Sequence, residues 1–219
     1  MKKPEITKEK IVPLYETKFI KLYDIQYEEG AHYFDATRRP LENIVALKSD
    51  DEFKKMLPDA VTAFIIIIPE DGVPRLLLTY EYRYPVGRFL LSPPAGLIDA
   101  ADLLSEAPMF SAAAREICEE TGITPAEISS LKQVSPVCFS TPGMTDESNA
   151  LVAAIINCKK LPKLSQEGAE GTECFDGFEL YNKAEALEIL KTSKDRHGNP
   201  FSLYTWAALM YFVSDMWKN

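Results

Sequence analysis

Basic charge is in short supply: 24 Lys and Arg stand against 33 Asp and Glu, a formal net charge of −9. A general nucleic-acid binder shows a basic footprint, so that class of partner is excluded. A small anionic ligand is not excluded, because a metal ion and a few arginines can reverse the field inside a cleft. Long hydrophobic runs are also missing. The longest, 61–69 (VTAFIIIIP), falls far short of the roughly 20 apolar residues that a membrane helix needs. The opening Met1-Lys2-Lys3-Pro4-Glu5 leads into charged residues with no apolar h-region. No membrane partner is expected, and the expected location is cytoplasmic. Cysteine is sparse. Cys118, Cys138, Cys158 and Cys174 form no CxxC pair and have no histidine at ligand spacing, so buried free thiols are expected instead of a zinc site or disulfide framework. What remains is an ordinary globular composition, 46% apolar over 219 residues, enough for one substantial domain and a smaller appendage.

Periodicity sets the organisation. Residues 17–28 alternate Phe19, Lys21, Tyr23, Ile25 and Tyr27, a strand pattern. Further short strands at 31–38 and 42–48 would complete a small antiparallel sheet, which buries little alone and must pack on the main domain or a second subunit. The charged stretch 50–59, with Pro58 near its end, marks a boundary between a first domain, 1–57, and a second, 58–219. The second opens with the continuous apolar run 61–68, suited to a strand covered on both faces. A strand at 75–81 follows the Asp71-Gly72 turn, and others are expected at 132–140 and 149–158. A helix over 183–193 would carry Ala186, Leu187 and Leu190 on one side. A last helix, begun at Asn199-Pro200, would face the core with Leu203, Trp206, Ala207, Met210 and Val213. The expected class is α+β, with a mixed sheet between helical layers.

The most informative stretch runs from Arg115 to Ile123 (REICEETGI). On a helix opened by Pro108 and closed by Gly122, Glu116, Glu119 and Glu120 sit at i, i+3 and i+4 and share a face. Three carboxylates so close repel one another, and Arg115 offsets only part of that. A hard divalent cation would relieve the conflict. Upstream, Pro93-Pro94-Ala95-Gly96-Leu97-Ile98-Asp99 makes a turn whose backbone can come close to a ligand.

These residues resemble the signature of the Nudix hydrolases: Gly, five residues, Glu, seven residues, then Arg-Glu-apolar-x-Glu-Glu-x-Gly-apolar. The chain supplies Gly96 and everything from Arg115 to Ile123, but the two parts are separated by 19 positions where the family has 14. Five residues are inserted. Asp102 falls at the first Glu counted forward; counted back, the position is Ala107, next to Glu106. The segments Tyr80-Glu81-Tyr82-Arg83, Pro94-Ala95-Gly96 and Pro142-Gly143-Met144-Thr145-Asp146-Glu147 resemble the ADP-ribose (ADP-sugar) pyrophosphatase branch.

The resemblance implies a Nudix-type α/β/α sandwich plus a small N-terminal antiparallel sheet. It also implies metal-dependent hydrolysis of the pyrophosphate of ADP-ribose or a related nucleoside diphosphate sugar. Glu116, Glu119, Glu120 and the Ala95 carbonyl would hold Mg²⁺, with Mn²⁺ as the alternative. Glu147 would be general base, with Glu170 and Glu173 as alternatives, and Arg115, Glu116 and Glu120 would serve catalysis. Arg38, Arg83, Tyr33, Ala95 and Gly143 would contact substrate, and the N-terminal sheet would join a homodimer. Two other readings stay open: a non-catalytic ADP-sugar sensing module, and a pyrophosphatase for another nucleoside diphosphate derivative.

Overall fold

The computed structural model describes residues 3–169 and 171–218. The chain divides into two compact units: Met1–Asp59 with Val137–Asn149, and Ala60–Pro136 with Ala150–Asn219.

The first unit is built on an antiparallel sheet in the order β1 (Ile11–Glu16), β2 (Lys21–Glu28), β3 (Ala31–Thr37), followed by a short helix α1 (Asp50–Lys55). Alternation predicts the third strand at 42–48, but it lies at β1. Pro13 makes that segment a poor central strand, and β1 sits at the edge, with a register shift between Pro13 and Tyr15. Residues 41–43 and 45–47 are two 3-10 turns instead. Leu41, Ile44 and Leu47 recur every third residue, the period of that helix, and pack with Ile11, Tyr23 and Ile25.

The second unit holds the main sheet. Its strands are β4 (Ala60–Pro69), β5 (Arg75–Arg83), β6 (Arg88–Ser92), β7 (Ala95–Leu97), β8 (Ser130–Phe139), β9 (Ser148–Cys158) and β10 (Phe175–Tyr181). The order is β10-β5-β4-β9-β8, with β6 on β5 and β7 on β4. The run 61–68 is covered on both faces, as its continuous apolar character demands. Phe64 and Ile66 pack with α3 (Lys183–Thr192) and α4 (Leu203–Val213), while Ala63, Ile65 and Ile67 pack with Ile117 of α2 (Pro108–Thr121). An α/β/α sandwich results.

The face of α4 differs from expectation. Thr205, Ala208, Leu209 and Phe212 are buried, whereas Leu203, Trp206 and Met210 are exposed. Ser202 caps the helix, and the Thr205 hydroxyl donates to the Leu91 carbonyl at 2.6 Å, which rotates the helix onto that side. With LYTWAALMYFV apolar almost all round, periodicity does not choose a face. On α3, Ala186 and Ile189 are buried but Leu187 is exposed. The four cysteines are free, as expected, but three are only partly buried and Cys174 is exposed. Among the described residues, no helix is long and apolar enough to cross a membrane.

Candidate active site

In the second unit, α2 delivers the glutamates where its sequence places them. Pro108 occupies the first turn, and Gly122 ends the helix in the left-handed region (φ 74°), its N–H donating to the Cys118 carbonyl. Glu116 and Glu120 are almost wholly buried; Glu119 is half-buried. β7 lies against them. A Cβ on Gly96 would stand 1.8 Å from Glu116 Oε1, so a glycine there is what lets the carboxylate reach this backbone. The Ala95 N–H donates to Glu120 Oε1 at 3.0 Å.

Arg115 is the hub. Its Nη1 donates to Glu116 Oε1 at 2.7 Å and to Glu119 Oε2 at 3.0 Å. Its Nη2 donates to the Leu97 carbonyl at 2.8 Å and to Asp102 Oδ2 at 3.0 Å. Of the two candidates for the first signature carboxylate, Asp102 is therefore the one that meets Arg115. It is 3% exposed and also receives hydrogen bonds from the Ser111 hydroxyl and the Asp99 N–H, whereas Glu106 is exposed. Burial alone would raise the Asp102 pKa, but these donors, with Arg115 foremost, hold it below the usual carboxylate value.

The glutamates behave oppositely. Burial pushes Glu116 up to about 7 against the pull of Arg115, and Glu119 and Glu173 add repulsion. Burial also lifts Glu120 well above its ordinary value. The Ala95 N–H opposes this, and Glu81, Glu116 and Glu173 reinforce it. Glu120 Oε2 is buried without a hydrogen-bond partner. Among the described residues, no three His, Cys, Asp or Glu side chains converge on a common point; these carboxylates lie on Arg115 and the Ala95 N–H. The donor set still fits a hard divalent cation: it is all oxygen, buried, short of positive charge, and carries one orphaned carboxylate oxygen.

Arg83 is the last residue of β5, and its Nη2 stands 2.5 Å from Glu81 Oε2. Glu81 has no place in the signature. The signal for it is the alternation Leu77, Thr79, Glu81, Arg83, which puts all four on one face. Glu173 is exposed, with a charge that bears on Glu81, Glu116 and Glu120. Glu170 lies outside the described residues.

The other expected residues meet within the first unit. Arg38 Nε donates to Glu147 Oε2 at 2.7 Å, and the Tyr33 hydroxyl donates to the Gly143 carbonyl at 3.0 Å. The loop carrying Gly143 and Glu147 is stitched to β3. Ala36 N–H donates to the Met144 carbonyl, Thr37 Oγ1 donates to Asp146 Oδ1 at 2.5 Å, and Asp146 N–H donates to Asp35 Oδ1. Beside it is a mainly apolar cavity of about 370 Å³, lined by Tyr33, Phe34, Phe53, Phe139, Met144 and Asp146 among others. Asp146 and Asp35 escape the motif reading because their partners are distant in sequence.

Comparison with known proteins agrees with this construction. An uncharacterized Nudix hydrolase of Schizosaccharomyces pombe is 28% identical over 162 residues, covering 71% of this chain and 74% of its own. The ADP-ribose pyrophosphatase of Saccharomyces cerevisiae is 34% identical over 122 residues, 53% of this chain and 49% of its own, so about half of that relative's length is spanned. A solved structure described as an ADP compounds hydrolase, 19% identical and covering 99% of this chain and 95% of its own, matches with a TM-score of 0.57, a likeness of fold. The model of the NUDIX domain matches residues 58–201, the segment that holds the main sheet and α2 with its buried glutamates, and the chain therefore belongs to the Nudix hydrolase family.

Proposed function

We propose that this chain hydrolyses the pyrophosphate of ADP-ribose or a closely related nucleoside diphosphate sugar, using Mg²⁺ or Mn²⁺, to AMP and a sugar phosphate. One observation carries the reading: two buried, charge-deficient glutamates, Glu116 and Glu120, stand under the glycine of β7. The likeness to a relative named ADP-ribose pyrophosphatase supports this substrate class. When bound, the cation polarises the phosphoryl groups and acidifies the attacking water. Water oxygen joins one phosphorus as the bond from that phosphorus to the bridging oxygen breaks.

The chain's own groups do the rest. Glu116, Glu119, Glu120 and the Ala95 carbonyl hold the cation. Arg115 fixes the Glu116 and Glu119 carboxylates and keeps them in register with Leu97 and Asp102. Arg83 and Arg38 take the phosphate oxygens through forked contacts. Tyr33, on the wall of the apolar cavity, stacks on the base, and Gly143 shapes the loop beside it. Glu147 accepts the water proton. Assembly as a homodimer is part of the same reading, supported by exposed Val12, Leu14, Tyr15, Phe19 and Ile20 in the first unit.

The test is purified protein with ADP-ribose and Mg²⁺, products resolved by chromatography, beside a panel of other nucleoside diphosphate derivatives. AMP release that Glu120→Gln abolishes is the expected result. Turnover of another panel member alone moves the substrate, and ADP-ribose binding without turnover of any member replaces the enzyme by a sensing module.

A further inference from the structure

β5 presents Leu77, Thr79, Glu81 and Arg83 to one side of the sheet, because side chains alternate along a strand. Leu77 shares a buried cluster with Ile117, so this is the side that α2 covers. Glu81, four residues along, therefore faces the α2 side too. It pairs across the sheet with Leu90 of β6 and Phe175 of β10, and its side chain is only 13% exposed. A carboxylate sheltered on that side is unusual unless something positive meets it. Arg83 meets one oxygen at 2.5 Å. α2, which covers that side, carries Glu120, which is 1% exposed and keeps Oε2 without a partner. The charges of Glu81, Glu116 and Glu173 all bear on Glu120. Strand and helix thus place carboxylates on the same side of the sheet, and one buried oxygen there, Glu120 Oε2, has no partner.

We propose that Glu81 is a further carboxylate of the divalent-cation site, supplied by β5 from outside the signature and acting together with Glu116 and Glu120. The inference rests on the metal-dependent reading above. Each carboxylate end is now turned onto a guanidinium or an N–H, so gathering them on an ion requires rotation about terminal side-chain bonds, which is broad and low in barrier, with no movement of the backbone. An all-oxygen set from a rigid strand end and a helix suits a hard cation.

The test is Mn²⁺ titrated into the full-length protein, with the free ion followed by electron paramagnetic resonance. Glu81→Gln should weaken Mn²⁺ binding about tenfold or more. Glu81→Asp keeps the charge but shortens the reach by one methylene; it should also weaken binding several-fold if the carboxylate touches the ion. Glu188→Gln, on an exposed pair of α3, removes the same charge elsewhere and should leave binding as it was. Mn²⁺ affinity within twofold of wild type in a folded Glu81→Gln or Glu81→Asp protein overturns the proposal. Wild-type AMP release with that unchanged affinity removes this inference alone. Glu81-dependent Mn²⁺ binding without AMP release from ADP-ribose removes the substrate reading alone.

Discussion

Arg38 and Glu147, 109 residues apart in sequence, are joined at 2.7 Å between Nε and Oε2. The loop that carries one is sewn to the strand that ends beside the other, so the arginine proposed to bind phosphate and the proposed base form one unit of structure. Both side chains are more than a third exposed, and such a pair contributes less than about 1 kcal/mol to stability. Glu147→Gln should lower kcat by about 10²–10⁴ without moving the denaturation midpoint. Arg38→Ala should mainly raise KM. Steady-state kinetics with ADP-ribose separates the two, and an unchanged kcat in Glu147→Gln moves the base to Glu170 or Glu173.

Asp35 supplies a pH dependence. Burial, then the charge of Asp146, pushes its pKa up to about 6 from 3.8; the Asp146 N–H and Arg39 pull the other way. A folded-state value above the unfolded one means that the neutral form is favoured in the fold. That stabilising contribution is complete below about pH 4 and is lost as pH rises through about 6, by at most about 3 kcal/mol. Asp35→Asn should therefore melt higher than wild type at pH 8 and alike at pH 4. Melting curves of both proteins across that range decide it; parallel curves would refute the assignment.

Much of this was legible where the signal is local. Pro108 and Gly122 bracket α2, and the unbroken apolar run gives β4 its two covered faces. Elements whose signals conflict with their setting were not. Pro13 hides β1, and the threefold spacing of Leu41, Ile44 and Leu47 imitates a strand only because apolar residues are frequent there. The exposed face of α4 required knowledge of what Thr205 touches. In the site, the spacing of Glu116, Glu119 and Glu120 predicts a shared face. Arg115 holding two of them, and Asp102 standing against it in place of Glu106 across a five-residue insertion, depend on contacts that no spacing encodes.

Asp102 and Glu106 make a paired test of that replacement. Asp102 is buried on Arg115 and two further donors, so Asp102→Ala leaves buried polar groups unmatched and should destabilise by about 2–4 kcal/mol. Glu106→Ala, at an exposed position, should change stability by less than about 0.5 kcal/mol. Urea midpoints measure both. Equal, small effects would mean that the enlarged loop does not brace Arg115.

Gly96 separates closeness to the carboxylate from backbone freedom. Its φ is not positive, so alanine suits the backbone; the conflict is with Glu116, whose Oε1 and Cδ would lie 1.8 and 2.1 Å from the new Cβ. The carboxylate must swing away from β7 and give up its contact with Arg115. An ångström of misplacement at a reacting centre lowers rates by about 10²-fold, and Gly96→Ala should lose at least that much kcat while folding normally. Gly30 is the opposite case. It has φ +72° with nothing within 4 Å of a built Cβ, so Gly30→Ala adds about 1–2 kcal/mol of backbone strain and touches no catalytic group. Melting temperature and kcat measured on both variants should change in opposite columns. A Gly96→Ala enzyme with kcat within threefold of wild type would show that Glu116 does not need its place under β7.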